Sequence, residues 1–277
     1  MGGRPSKQEE EEEEEIMEVM QHSVEFLTPT AANCGGSGRV YALVVLNYEL
    51  PSFTPALWNR AQLRLCADGG ANRLFDQMAK FFPDEAPALV RQRFKPDVIK
   101  GDLDSIRPEV REFYDNMGST ILDESNDQDT TDLHKCVAFI KDCTPDLEKA
   151  NLTVLVVGAL GGRFDHELGN INVLYAFSAM RIVLLSNDSL LFLLPRTHCH
   201  EILVNPSVEG PHCGLIPLGR PSQSTTTSGL QWDLNMTPMG FGSLISTSNI
   251  LKGEKVTVCS DVDLLWTTSI RKGDSMS

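Results

Sequence analysis

The feature that most constrains this chain is a change of rhythm near residue 187. From residue 40 onward, short apolar runs at 41–46, 63–67, 97–99, 152–157 and 182–185 alternate with helical patterns around 70–80, 107–117, 131–141 and 165–179. That alternation predicts a parallel sheet with helices on its faces, since parallel strands need long crossovers and helices usually supply them. After 187 the helical periodicity stops. Strand-length segments at 190–194, 200–204, 215–218, 229–234, 244–248, 255–259 and 264–269 follow, divided by Gly, Pro, Ser and Asn, and predict a β-sandwich. The expected class is α/β: a parallel-sheet domain at 38–187, then a smaller all-β sandwich domain at 188–277.

Ahead of both lies an acidic stretch. The glutamate run 9–15 repels itself and offers nothing to bury, so 1–37 is expected to be a disordered tail. Residues 1–35 hold two basic and nine acidic side chains, which is half of the chain's net charge of −14. That charge argues against a nucleic-acid partner, whose phosphates need basic side chains. No apolar run approaches the roughly eighteen residues of a membrane span, so no membrane partner is expected. The N-terminus lacks the basic start and apolar stretch of a secretory signal. Seven scattered cysteines without a C-x-x-C pair predict reduced thiols and a cytoplasmic location.

Four polar loops carry the chemistry, and in an open parallel sheet such loops converge beyond the carboxyl ends of the strands. In Ala67-Asp68-Gly69-Gly70-Ala71-Asn72-Arg73 the glycines permit close approach of backbone to phosphate, and a helix start offers free N–H groups. A tight strand-to-helix turn would need the same glycines. In Gly101-Asp102-Leu103-Asp104-Ser105, two carboxylates at i and i+2 can hold a hard divalent cation such as Mg²⁺. Ser105 would cap the following helix. In Asp127-Gln128-Asp129-Thr130-Thr131-Asp132, Asp129 as N-cap would put Asp132 at N3, where it could also serve a cation or accept a proton from an alcohol. In Gly158-Ala159-Leu160-Gly161-Gly162-Arg163-Phe164-Asp165-His166, Arg163 can clamp a phosphate while Asp165 orients it or caps the helix. His166 has no triad partner nearby and reads as structural, and the adjacent His198-Cys199-His200 lacks zinc spacing.

These motifs, together with C-G-L-I-P-L-G (213–219), G-L-Q-W-D-L (229–234) and L-I-S-T-S-N (244–249), resemble in order those of eukaryotic-type thiamine pyrophosphokinases over about residues 38–272. The resemblance implies transfer of pyrophosphate from ATP to the hydroxyethyl group of thiamine, giving thiamine diphosphate and AMP. It implies an ATP-binding α/β domain, a β-sandwich, and a homodimer whose active sites are shared between subunits. By position it implies Mg²⁺ and polyphosphate on Asp102, Asp104 and Asp132, with nucleotide and phosphate contacts from Asp68, Asn72, Arg73, Arg163 and Asp165. Thiamine would meet Gln128 and Thr131 of one subunit and Trp232, Ser246, Ser248 and Asn249 of the other. Before that resemblance is weighed, a lone Trp232 reads more readily as core than as ligand. Lys100, and the segment 250–254, depart from the family pattern.

Overall fold

The computed structural model describes residues 18–28 and 39–271. Its first strand, β1 (Val19–His22), is followed by β2 (Val40–Val45), α1 (Thr54–Arg60), β3 (Leu63–Ala67), α2 (Gly70–Gln77) and α3 (Pro87–Arg93). Next come β4 (Val98–Gly101), α4 (Pro108–Asn116), β5 (Thr120–Asp123), α5 (Asp132–Cys143), the single turn α6 (Asp146–Lys149), β6 (Leu152–Val157) and α7 (Phe164–Ala176). From β7 (Arg181–Leu185) the chain is all strand: β8 (Ser189–Leu194), β9 (Cys199–Leu203), β10 (Glu209–Ile216), β11 (Ser222–Ser228), β12 (Thr237–Met239), β13 (Ser246–Ile250), β14 (Lys255–Ser260) and β15 (Leu264–Ile270).

The parallel strands stand in the order β7-β6-β2-β3-β4-β5. Every residue of β6, Leu-Thr-Val-Leu-Val-Val, is buried, which is what a central strand covered on both faces requires. On α5, Leu133, Cys136, Val137 and Ile140 fall at helical spacing and pack against the sheet as one apolar stripe. The winding direction reverses between β2 and β6, so the fold has its switch point there.

The sheet does not stop at 187. β8 pairs antiparallel with β7, β15 with β8, β10 with β15 and β13 with β10, giving one sheet of 10 strands. A five-stranded sheet, β1-β9-β14-β11-β12, packs on this antiparallel end, and Ile202, Val256, Val258 and Trp266 join the same core as Leu43 and Val45. The expected sandwich therefore shares a sheet with the α/β part.

Three sequence expectations differ from the structure. Within the predicted tail, Val19–His22 pairs parallel with β9, and Val24, Phe26 and Leu27 are buried. The glutamate run dominates the composition there and hides an apolar anchor just behind it. Segment 229–234 is a loop rather than a strand: Asp233 accepts from the backbone N–H of Gly229 and Leu230 and from the Thr227 hydroxyl at 2.9–3.2 Å, which folds the chain locally. The strand instead is β11, whose buried positions are Ser222, Thr225 and Thr227. The third difference is a disulfide between Cys199 and Cys259, which face each other across β9 and β14, where reduced thiols were expected. Strand register brings the pair together although sixty residues separate them in sequence.

Candidate active site

The predicted loops gather at the switch point. A cleft of about 1130 Å³, open to solvent, is lined by Asn47 and Tyr48 after β2, Asp68 after β3, Asp102 after β4, Gln128, Thr131 and Asp132 at the start of α5, and Gly158, Arg163 and Asp165 after β6. The chain there is built for close approach. A Cβ on Gly101 would lie 2.8 Å from the Asp68 Cβ and 2.9 Å from Asp132 Oδ1, so only glycine lets these carboxylates converge. Gly158 has φ +73°, and a side chain there would meet the Leu46 carbonyl at 2.9 Å.

Asp68 organises the cluster. It is 2% exposed, and its two oxygens accept from the Ser105 and Ile106 N–H groups, each at 3.0 Å, fastening the Asp102–Ser105 loop to the end of β3. Asn72 does the same work from α2, donating to the Ser105 carbonyl at 2.9 Å and accepting from the Arg107 N–H at 3.0 Å. The loop is held in a costly shape: Asp68 and Leu103 take φ of 41° and 59°, left-handed values that cost a non-glycine residue about 1–3 kcal/mol each. Ser105 therefore spends its N–H on Asp68 and its hydroxyl on Asp104 Oδ1 at 2.7 Å, and caps no helix. Asp129 caps none either. Thr131 is the N-cap of α5, accepting from His134 N–H at 3.3 Å, which makes Asp132 the first helical residue.

One oxygen from each of Asp68, Asp102 and Asp104 lies within 4.8 Å of the others. Asp132 adjoins them: burial first, then the negative charges of Asp102 and Asp68, push its carboxyl up to about 6. Burial likewise raises Asp68, outweighing the hydrogen bonds from Ser105 and Ile106. Like charges forced together and partly desolvated are the arrangement that a divalent cation relieves. Asp68 keeps lone pairs beyond the two engaged by backbone. The donor set, all hard oxygen, fits Mg²⁺.

Lys135, which the sequence reading passed over, is the buried cation of the cleft. Its side chain is 5% exposed, with its ammonium 3.8 Å from Asp132. The available signal was the i, i+3 spacing from Asp132 at a helix start; a lysine on an amphipathic helix otherwise reads as solvated. Arg163 also faces the cleft, but pairs with Asp165 through two contacts of 3.1 and 2.5 Å. Arg73 turns aside. Its Nε donates to Asn47 at 3.0 Å, and it lines a neighbouring hollow with Tyr48, Gln77 and Lys80. Lys100 is buried under Phe139 and pairs with Glu124, away from the cleft lining.

The predicted thiamine residues of the β half are absent from this cleft. Trp232 is 56% exposed, so it belongs to no core. Asn249 is 3% exposed and frames it, accepting from Trp232 N–H at 3.2 Å and donating to its carbonyl at 2.9 Å. Ser246 accepts from Asn249 Nδ2 at 3.3 Å, and Ser248 takes a left-handed φ of 56°.

The chain matches two family descriptions, "Thiamin pyrophosphokinase, catalytic domain" over residues 54–184 and "Thiamin pyrophosphokinase, vitamin B1 binding domain" over 199–265. It is 62% identical to thiamine pyrophosphokinase 3 of Oryza sativa subsp. japonica over 258 residues, covering 91% of this chain and 97% of that one. To thiamine pyrophosphokinase 1 of Arabidopsis thaliana it is 61% identical over 256 residues, covering 92% and 95%. The crystal structure of yeast thiamin pyrophosphokinase superposes with a TM-score of 0.75 at 25% identity, covering 92% of each chain. With both parts of the fold matched and this much identity end to end, the chain belongs to the thiamin pyrophosphokinase family.

Proposed function

We infer that this protein catalyses ATP-dependent pyrophosphorylation of thiamine to thiamine diphosphate, with AMP leaving, and that the cleft at the switch point holds the ATP polyphosphate. The observation that carries this assignment is the convergence of Asp68, Asp102, Asp104 and Asp132 on one partly buried point, beside the buried ammonium of Lys135. A binding module would gain nothing from such repulsion. Asp102 and Asp104 are assigned to Mg²⁺, supported by Asp68 and by Asp132. Bound there, Mg²⁺ would neutralise charge on the phosphate oxygens.

The protein's own groups do the rest. Lys135 and Arg163 counter the remaining phosphate charge, and the N-terminus of α2 offers backbone N–H groups. Gln128 and Thr131 orient the thiamine alcohol. Asp132, the first residue of α5 and a lining residue of the cleft, is assigned as the acceptor of the alcohol proton as well as a neighbour of the cation. Alignment of alcohol and polyphosphate supplies most of the acceleration, since transfer of this kind needs position and charge neutralisation more than covalent help.

The β half is assigned to a second copy's active site. Trp232, Ser246, Ser248 and Asn249 of one subunit would complete the cleft of its partner in a homodimer. The exposure of Trp232, Met236 and Phe241 on one half, and of Phe164 beside the cleft on the other, supports this reading. Indole can stack on the aminopyrimidine and attract the thiazolium. A cytosolic site of action is proposed, where Cys199 and Cys259 would be exposed to reductants; among the described residues no helix is long and apolar enough to cross a membrane.

A product assay with thiamine, ATP and Mg²⁺ tests the assignment. AMP and thiamine diphosphate in equal yield are expected. ADP with thiamine monophosphate would make it a simple kinase, and no thiamine-dependent product would overturn the reading.

A further inference from the structure

A second cavity lies at the opposite end of the parallel sheet, where strands begin rather than end. Arg39 immediately precedes β2, Thr153 is the second residue of β6 and Arg181 opens β7, and all three line it. At ~3.3 Å per residue, the length of β6 separates this cavity from the catalytic loops by roughly 20 Å. Counting the solvent at its open mouth it spans about 580 Å³, and it shares no lining residue with the catalytic cleft. One part of its lining is apolar, with Phe26, Phe192 and Met180. Another part brings Arg39, Arg181 and His22. Among the described residues no Asp or Glu lines it, in a chain whose net charge is −14.

The guanidinium groups of Arg64, Arg93, Arg107 and Arg163 each face a carboxylate, at 3.6, 2.7, 2.8 and 2.5 Å. Arg39 instead donates to the Ser23 hydroxyl at 2.7 Å. Arg181 has the charge of Arg39 as its neighbour, and burial followed by that charge lowers its proton affinity. Two cations on one partly desolvated cavity repel, and an anion would offset that cost. His22 is unsuited to add a charge of its own. Its Nε2 lies 3.0 Å from His200 Nδ1, while His200 Nε2 donates to the Pro195 carbonyl at 2.9 Å. Neutral His200 accepts at Nδ1 from His22, and burial, followed by the electrostatic influence of His200, Arg181 and Arg39, lowers the proton affinity of His22, whose ring stacks 4.8 Å from Phe192.

We propose that this cavity is a second ligand site, remote from catalysis, for a small organic anion whose phosphate or carboxylate head meets Arg39 and Arg181 and whose flat body lies against Phe26 and Phe192. The planar fork of guanidinium suits either head group, and the aromatic lining selects a ligand with an apolar body over a bare inorganic ion.

Isothermal titration of the full chain with phenyl phosphate and with benzoate, ATP and Mg²⁺ being present throughout, tests this. One saturable site is expected for at least one probe, and the tighter probe identifies the head group. Arg181→Gln and Arg39→Gln should each weaken it roughly tenfold or more, while Arg163→Gln, in the catalytic cleft, should leave it unchanged. Circular dichroism monitors folding, and Arg39→Gln, outside any strand, carries the test if Arg181→Gln unfolds. Absence of saturable binding, binding that survives both variants, or binding lost with Arg163→Gln would overturn the proposal.

Discussion

The two halves of this molecule use polar side chains in opposite ways. At the carboxyl ends of the parallel strands, Asp68, Asn72 and Ser105 spend their hydrogen bonds on one another's loops, and the result is a concave site with carboxylates pressed together. In the β half, Asn249 uses both side-chain polar atoms to frame the Trp232 backbone, and the result is an aromatic ring held out in solvent. One half makes a receptacle, the other a projection. On the proposed reading the site is legible in one sequence yet divided between two subunits, in keeping with a cleft lining that includes none of Trp232, Ser246, Ser248 or Asn249.

Breaking the receptacle should have the largest effect. Asp102→Asn removes one of the converging charges without changing shape, and kcat is expected to fall roughly 10²–10³-fold, the scale of losing one preorganised electrostatic group; a variant with full Mg²⁺-dependent turnover would remove Asp102 from the cation site. Lys135→Gln should lower kcat by a similar or smaller factor, with Lys135→Arg recovering part of it, measured by steady-state kinetics with ATP varied. The division itself is tested by mixing subunits. If each cleft borrows Trp232 from its partner, refolding Asp102→Asn and Trp232→Ala chains together should restore activity that neither shows in full alone, because one of the two sites in a mixed dimer is then intact. Trp232→Ala by itself sharpens the comparison: the KM for thiamine should rise roughly three- to tenfold, the worth of a stacked ring, with the KM for ATP unchanged.

The smallest effect concerns β1. Burial lowers His200 to about 4, against about 6.5 for a free histidine, so the unfolded chain takes up a proton that the fold refuses. That contribution is fully present above pH 6.5 and is lost as pH falls toward 4, by up to about 1.4 kcal/mol per pH unit. Burial raises Glu209 to about 7, which acts in the opposite sense, so global melting mixes the two. Protection of the Val19–His22 amides, with exchange corrected for its intrinsic pH dependence, is the local measure, and it should fall between pH 6.5 and 4 while β6 stays protected.

What the sequence made legible followed from how each element is stabilised. Strands buried on both faces, such as β6, announce themselves as unbroken apolar runs. β11 does not, because its inward positions are hydroxyls: Ser222 donates to Asp261 at 2.6 Å, a partner 39 positions away that local context cannot reveal. The acidic loops were readable as a shared site from their order alone, yet the roles within them were not. Asn72 and Asp68 look like ligand contacts in a string of letters; geometry adds that both also hold the backbone at 105–107 in place. Lys135 was lost for the reverse reason, since a lysine on a helix carries no mark of burial.

The unbroken run of hydrogen bonds from β5 to β13 has a mechanical meaning. Enzymes that transfer phosphoryl groups often exclude water by swinging one domain over another about a hinge. Here the two parts are welded by β7, β8 and β15, pairing residue by residue across the boundary, and the short 186–188 turn lies inside that pairing rather than between two free bodies. Dehydrating the cleft must fall to something other than a domain swing, such as the short loops around Tyr48 and Phe164 or the face of another chain. The same weld means that cutting the chain near 187 would not release two modules but would leave β7 as a bare edge, with half a core on either side.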